Sequence, residues 1–195
     1  MNKLAFSLVL SLSAAGWADS PLTSTDFWTA YRDVPQVRTA HDLRRLNNGL
    51  ANYLLSKAPL DKKAAVINAL SWNYHGQQNA ELFLESAALK YGKSTQDAKY
   101  MLTADERFCW GYLMAMDNYF DVKTPLLTLR NARRQMPKSF TVAIVTELVE
   151  AQNNFAGQKL WGYVEPVFED QGLKRDLRPQ ARKVIYDYMA LYRAD

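Results

Sequence analysis

Residues 79–92 read Asn-Ala-Glu-Leu-Phe-Leu-Glu-Ser-Ala-Ala-Leu-Lys-Tyr-Gly. Within this stretch Ala80, Phe83, Leu84, Ala87, Ala88 and Tyr91 recur at i, i+3, i+4, i+7, i+8 and i+11, which lines one face of a 3.6-residue helix with apolar groups. Gly92 follows where such a helix needs a left-handed C-terminal cap. Glu81 and Glu85 fall on the opposite, solvated side. Strand-like alternation is nearly absent from the chain, so this stretch sets the pattern for an all-α protein.

Outward from it the same spacing recurs between short breaks. Toward the N-terminus, Pro35 opens a predicted helix with Leu43, Leu46, Leu50, Tyr53 and Leu54 inward, interrupted at Asn48-Gly49. Asp61 is the expected N-cap of the next, with Val66, Ile67, Leu70 and Tyr74 on one side. Toward the C-terminus, Thr95–Leu102 reads as a short helix and Ala104–Phe120 as a longer one, apolar round most of its circumference and therefore the expected central buried helix. Thr124-Pro125 starts another that ends near Met136-Pro137. Ile144, Val145, Leu148, Val149 and Phe155 mark one more. Leu160, Trp161, Val164, Val167 and Phe168 mark the next, with a kink or restart expected at Pro166. Ala181, Val184, Ile185, Tyr188 and Tyr192 mark the last. The total is about eight or nine helices joined by short turns, which favours antiparallel neighbours.

The N-terminus differs in composition. Lys3 precedes an apolar run from Leu4 to Leu12, and Gly16 and Ala18 place small residues where a signal peptidase reads. The expectation is a signal peptide over 1–18, cleaved near Ala18, and a single helical domain over 19–195. The apolar run is too short to span a bilayer, which needs about 20 residues. The formal charge of +4 becomes +3 without Lys3, a small excess that suits anionic envelope polymers better than nucleic acid. Cys109 is the only cysteine, so no intramolecular disulfide forms, and its neighbours Phe108 and Trp110 suggest a buried, inert thiol.

Punctuation repeats weakly along the chain. Pro59, a helix, Gly76-Gln77 and a helix closing at Gly92 match Pro137, a helix, Gly157-Gln158 and a helix closing at Gly172. Ala65, Val66, Ile67 and Leu70 align with Ala143, Ile144, Val145 and Leu148 at an offset of 78, about twice the 40–47 residues of one HEAT or armadillo unit. From Pro59 to Gly172 the chain thus resembles a HEAT-like α-solenoid, through helix-pair punctuation alone and without a strict repeat consensus; an irregular helical bundle gives a similar pattern. The resemblance implies stacked helix pairs with a concave surface for protein partners.

Catalytic patterns are sparse. His41 and His75 are remote from each other, and with one cysteine they fall short of the three or four ligands zinc needs; no metal site and no cofactor are expected. There is no Gly-x-Ser-x-Gly elbow and no phosphate-cradling glycine loop. Glu81 with Glu85, and Glu165 with Glu169, share helix faces at i, i+4, but a glycosidase acid needs burial to raise its pKa and a solvated face explains them. Asp105-Glu106 suits the positive end of a helix dipole.

The turn from Trp72 to Asn79 is the most unusual segment, mixing amide, imidazole and aromatic groups. Turn chemistry accounts for most of these residue types, while their flat apolar faces and polar rims also suit recognition. Tyr74, His75, Gln78, Asn79 and, from the second Gly-Gln turn, Gln158 are candidate binding residues. Arg130, Arg133 and Arg134, with Lys138, form a candidate basic surface, and Lys174, Arg175, Arg178, Arg182 and Lys183 a second. The expectation is an exported, periplasmic or secreted binding protein whose partner is a protein or an anionic envelope polymer. An immunity or inhibitor protein is one concrete form. Nucleic acid is not an expected partner, the mature part is expected to lack a transmembrane segment, and the oligomeric state is left open. The competing class is an enzyme acting on cell-wall glycan through Glu81 or Glu165.

Overall fold

The computed structural model describes residues 20–155 and 159–193; the segment 1–18 expected to be a signal peptide and Gln158 lie outside them. Ten α-helices run in order through the described residues: α1 Pro35–Leu43, α2 Asn48–Leu54, α3 Leu60–Leu70, α4 Asn79–Tyr91, α5 Thr95–Met101, α6 Ala104–Asp117, α7 Lys123–Gln135, α8 Phe140–Asn153, α9 Trp161–Glu169 and α10 Pro179–Met189. Short 3-10 helices at Phe27–Tyr31 and Ala190–Tyr192 flank them. No strand occurs among the described residues, where a lone parallel bridge joins Ser139 to Lys174. The protein is all-α, as the spacing predicts.

Local chemistry fixes most helix ends. Asn47 and Ser139 each accept the backbone N–H three residues on, from Leu50 and Val142, and Ser94 does the same for Asp97. Gly92 ends α4 at φ 61°. Glu106 accepts the Thr103 N–H at 2.9 Å, closing α6 from its first turn. Other ends depart from expectation. Asp61 lies inside the first turn of α3 and accepts the Tyr31 hydroxyl instead of capping. Val122, not Thr124, precedes α7. A single helix runs through Pro166, forgoing one backbone hydrogen bond.

The core gathers α3, α6 and α8. Residues 63–70 of α3 are all buried, as is most of α8, while Phe108, Tyr112 and Leu113 of α6 are fully enclosed. Helix α6 packs on α7, α4, α3 and α8, which bears out its central place. Helix α4 turns Phe83, Ala87 and Ala88 inward and leans on α5, α6 and α2. Helix α8 pairs with α9, and α10 reaches back to the Phe27–Tyr31 turn. Arg178, just before α10, adds to that contact, pairing with Asp33 and lying 4.3 Å from the Tyr31 ring centroid. None of the described helices is long and apolar enough to cross a membrane.

Buried polar groups find partners in the same core. Lys63, with no exposed surface, donates to Asp105 at 2.6 Å and to the Ser56 carbonyl. Asn68 donates to the Thr25 carbonyl and the Tyr112 hydroxyl and accepts from the Trp28 N–H. Burial pushes the Cys109 thiol up to about 12, the inert state expected of it.

Three side chains assigned inward by helical spacing are exposed. Leu43 is 50% exposed, Tyr74 69% and Phe120 65%. Each lies at or beyond the end of its helix. Helix α3 stops at Leu70 because Ser71 adopts φ 60° and ψ −168°, and α6 stops at Asp117, three residues before Phe120. The periodic reading carried past those ends, and two of the displaced aromatic rings meet outside.

Candidate functional site

The connection between α3 and α4 is sewn at both ends to other parts of the chain. Ser71 opens it in a backbone region that β-carbons disfavour. Asn73 accepts the His75 N–H at 2.9 Å through its side chain and the Gly76 N–H through its carbonyl, the Asx pattern of a tight turn. Gly76 sits at φ 79°, and a β-carbon there would lie 3.2 Å from the Asp117 carbonyl oxygen. Glycine is favoured on both counts. The same Asp117 carbonyl accepts the Gln77 N–H at 3.0 Å.

On the other side Asn79 ties the turn to the α1–α2 corner. Its side-chain oxygen accepts the Leu46 N–H at 2.8 Å, and its amide nitrogen donates to the Gln77 side chain. Gln77 in turn donates to the Arg44 carbonyl. Asn79 is 2% exposed, so this candidate binding residue is spent on holding the turn. Tyr74, His75 and Gln78 are exposed on it.

Aromatic rings continue outward from the core onto this surface. Trp72 meets Tyr119 edge-on at 5.0 Å, Tyr119 lies 4.2 Å from Phe120, Phe120 meets Tyr74 edge-on at 5.7 Å, and Tyr74 meets His75 at 5.6 Å. Tyr119 is 9% exposed and Trp72 half-buried. The ladder is therefore anchored inside and free at its tip, a geometry that holds Tyr74 and Phe120 outward at small entropic cost.

Beside the ladder lies an open depression of about 770 Å³, lined by the 73–79 turn, Arg44, Arg45, Leu82, Asp117 and Asn118. A second, of about 590 Å³, is lined by Leu43, Arg45, Leu46, Asn47, Asn48, Gly49, Ala51, Leu82 and Ser86. Arg45 and Leu82 line both, so the two meet in one groove between the α1–α2 corner and α4. Each depression falls in the size range of ligand sites. Arg44 holds φ 51°. Arg44 and Ser71 are the non-glycine residues at positive φ among the described residues, and both belong to the two connections that build this groove.

Asp117 ends α6 at the floor. One carboxylate oxygen accepts the Ala80 N–H at 2.7 Å, capping α4 from another helix, while the other oxygen is buried without a partner among the described residues. With 7% of its surface exposed, burial pushes its carboxyl up to about 6 although backbone donors from Ala80 and Asn79 pull the other way.

The remaining sequence candidates lie elsewhere. Arg130 pairs with Glu150 and Arg133 with Glu147, joining α7 to α8, while Arg134 is exposed. In the second basic group Arg178 holds Asp33, Arg175 donates to the carbonyls of Val167, Phe168 and Asp170, and Lys183 pairs with Asp187. Those charges chiefly join parts of the fold. Glu81 is exposed on α4 and Glu165 half-buried on α9, so the two carboxylates stand on different helices. Trp161, near the second Gly-Gln turn, is buried against Phe168, Tyr186 and Arg193.

Sequence reasoning missed Arg44, Arg45, Asp117, Tyr119 and Phe120 as parts of the site. The Asn47-Asn48-Gly49 cluster was a signal of a corner at that point, but pairing it with a turn thirty residues on requires the fold. No protein-family model matches this chain, and no match to it was found among curated proteins or solved structures.

Proposed function

We propose that this chain is an exported binding protein that grips a partner protein with the aromatic tip and groove around the Trp72–Asn79 turn, an immunity or inhibitor protein being the form that best suits such a surface. The observation that carries the reading is the ring ladder. Tyr74 and Phe120 are mostly exposed yet fixed on Tyr119 and Trp72, and rigid, exposed aromatic side chains beside a polar groove are the usual anchors of protein interfaces. Lys3, the Leu4–Leu12 run and the Gly16-x-Ala18 pattern support export.

The test uses the exported chain as bait in envelope extract, followed by titration of the captured protein against wild type and a Tyr74→Ala, Phe120→Ala variant. Affinity is expected to fall by a factor of about 10–30, equivalent to about 1.4–2 kcal/mol, with Tm near wild type. An inhibitor additionally suppresses whatever activity the captured protein has. Equal affinity of the two forms per folded molecule refutes the site, and exclusive recovery of anionic polymer refutes the protein partner.

A further inference from the structure

The groove beside the ladder carries a chemical signature of its own, and we propose that it receives an acidic segment of the partner, with Arg45 and Arg44 meeting its carboxylates while Tyr74 and Phe120 hold the flanking apolar residue. The inference rests on the binding role proposed above and specifies the chemistry of the partner.

Charge along the groove is one-sided. Among the residues lining the two depressions the cations are Arg44 and Arg45, and the sole acid is Asp117. Asp117 is buried, with one oxygen committed to the Ala80 N–H, so the groove presents no solvent-facing carboxylate of its own. Arg45 stands where the two depressions meet. It is exposed and makes no ion pair or side-chain hydrogen bond among the described residues. This distinguishes it from Arg130, Arg133 and Arg178, whose guanidinium groups are taken by acids of the fold. Arg44 donates to the His41 carbonyl and shares the field of Asp26.

The remaining lining supports the same occupant. Asn47, Asn48, Asn73, Gln78 and Asn118 offer neutral donors and acceptors suited to the main chain of an extended segment. A guanidinium fork matches a carboxylate through two parallel hydrogen bonds. Backbone geometry adds an independent sign. Arg44 occupies a left-handed conformation that glycine adopts without strain, and the contact made there by its carbonyl to Gln77 needs no side chain. The Arg44 side chain is tied to the end of α1 through its Nε and the His41 carbonyl, and its two terminal nitrogens are the groups it offers a ligand.

The test measures fluorescence anisotropy of a labelled peptide of alternating glutamate and glycine with one central phenylalanine, titrated with the full chain to millimolar concentration. A glutamine counterpart and a lysine counterpart serve as references. The glutamate peptide is expected to bind about tenfold tighter than the glutamine one. Arg45→Glu and Arg44→Gly should each remove that preference with Tm unchanged or raised, whereas Arg134→Glu on α7 should leave it. Equal binding of glutamate and glutamine peptides, a preference that survives Arg45→Glu, or no binding at millimolar protein overturns the proposal. Equal binding abolished by Tyr74→Ala overturns the acidic partner and leaves the aromatic site standing. A preference lost in Arg45→Glu but indifferent to Tyr74→Ala supports the acidic groove and removes the ladder from the interface. Binding of dextran sulfate where the glutamate peptide fails to bind overturns a protein segment in favour of an anionic polymer.

Discussion

Replacing Asp117 by Asn should flatten one part of the stability profile and leave the fold in place. The carboxyl titrates near 6 in the folded protein, against 3.8 for an ordinary aspartate, because burial at the end of α6 disfavours the charge. A folded-state pKa above the unfolded one means that the folded chain holds the proton more tightly. The resulting stabilisation is complete below about pH 4 and is lost as pH rises through about 6. At 1.36 kcal/mol per pH unit, the gap corresponds to about 3 kcal/mol. Asparagine keeps a side-chain oxygen for the Ala80 N–H and is as good a helix cap as aspartate, while it carries no charge at any pH.

The expected result is a difference between variant and wild type that is small near pH 4 and grows by about 3 kcal/mol in favour of Asp117→Asn by pH 7.5. In a chain of this length that is a gain in Tm of about 6–12 °C. Urea unfolding followed by far-ultraviolet circular dichroism at a series of pH values measures it. Comparing the two proteins removes the contribution of Asp105 and Glu106. Burial works against ionisation of both, but hydrogen bonds led by Lys63 and Lys90 respectively outweigh it and hold both carboxyls low. Those two groups lose stability as pH falls, the opposite direction. A difference independent of pH refutes the buried, charge-penalised state of Asp117, and a variant that loses ground to wild type as pH rises means that the ionised cap on α4 outweighs its desolvation.

Other outcomes follow from the same packing. Phe83→Ala and Ile144→Ala, both at fully buried positions, should each cost about 2–5 kcal/mol in urea unfolding; losses under about 1 kcal/mol would deny them the core. Ser71→Gly should raise stability by about 1 kcal/mol, since only glycine occupies that backbone region without strain, and a loss would mean that the hydroxyl has a role the geometry does not indicate. The Arg133–Glu147 pair is partly exposed on its arginine side, so a double-mutant cycle should return a coupling of about 0.2–1 kcal/mol, and none in high salt. Intact mass of the envelope form should begin at Asp19, and retention of Met1 through Ala18 would refute the export signal.

Helix existence was legible in the sequence because it rests on local spacing. The 79–92 stretch, its glycine cap and the central role of the Ala104 segment all stand in the structure, while the break expected at Asn48-Gly49 falls just before them, over residues 44–47. Helix ends were less legible. Nothing in Ala69-Leu70-Ser71-Trp72 announces that serine leaves the helical region there, so Tyr74 was counted inward when it points out. Phe120, which spacing places at the end of the central buried helix, is exposed for the same reason, three residues past the end of α6. The candidate site was half visible. Turn chemistry drew attention to Tyr74, His75 and Gln78, but Asn79 is of the same chemical type and lies buried, bonded to Leu46 and Gln77. Arg130 and Arg133 read as a basic surface because their partners, Glu150 and Glu147, belong to a different helix.

What singles out the α1–α2 corner and the α3–α4 connection is that several unfavourable features converge there. Ser71 and Arg44 stand in backbone regions that favour glycine, Asp117 is an acid at the negative end of a helix with one oxygen unpartnered, and Tyr74 and Phe120 expose rings that water solvates poorly. Each has a simple stabilising substitute, and each substitute would keep the backbone contacts that join turn to corner. Such features persist in a marginally stable protein when something other than the fold selects them. The junction of α10 with the Phe27–Tyr31 turn offers a contrast. There Arg178 satisfies Asp33, Tyr31 and the Ala30 carbonyl at once, and its chemistry is accounted for by the closure of α10 on the N-terminal turn. A residue engaged in that way resists any change without loss of stability. Ser71, Arg44 and Asp117 should behave in reverse under the substitutions that relieve them, gaining stability and losing affinity together, and that inverse relation marks a site held for binding.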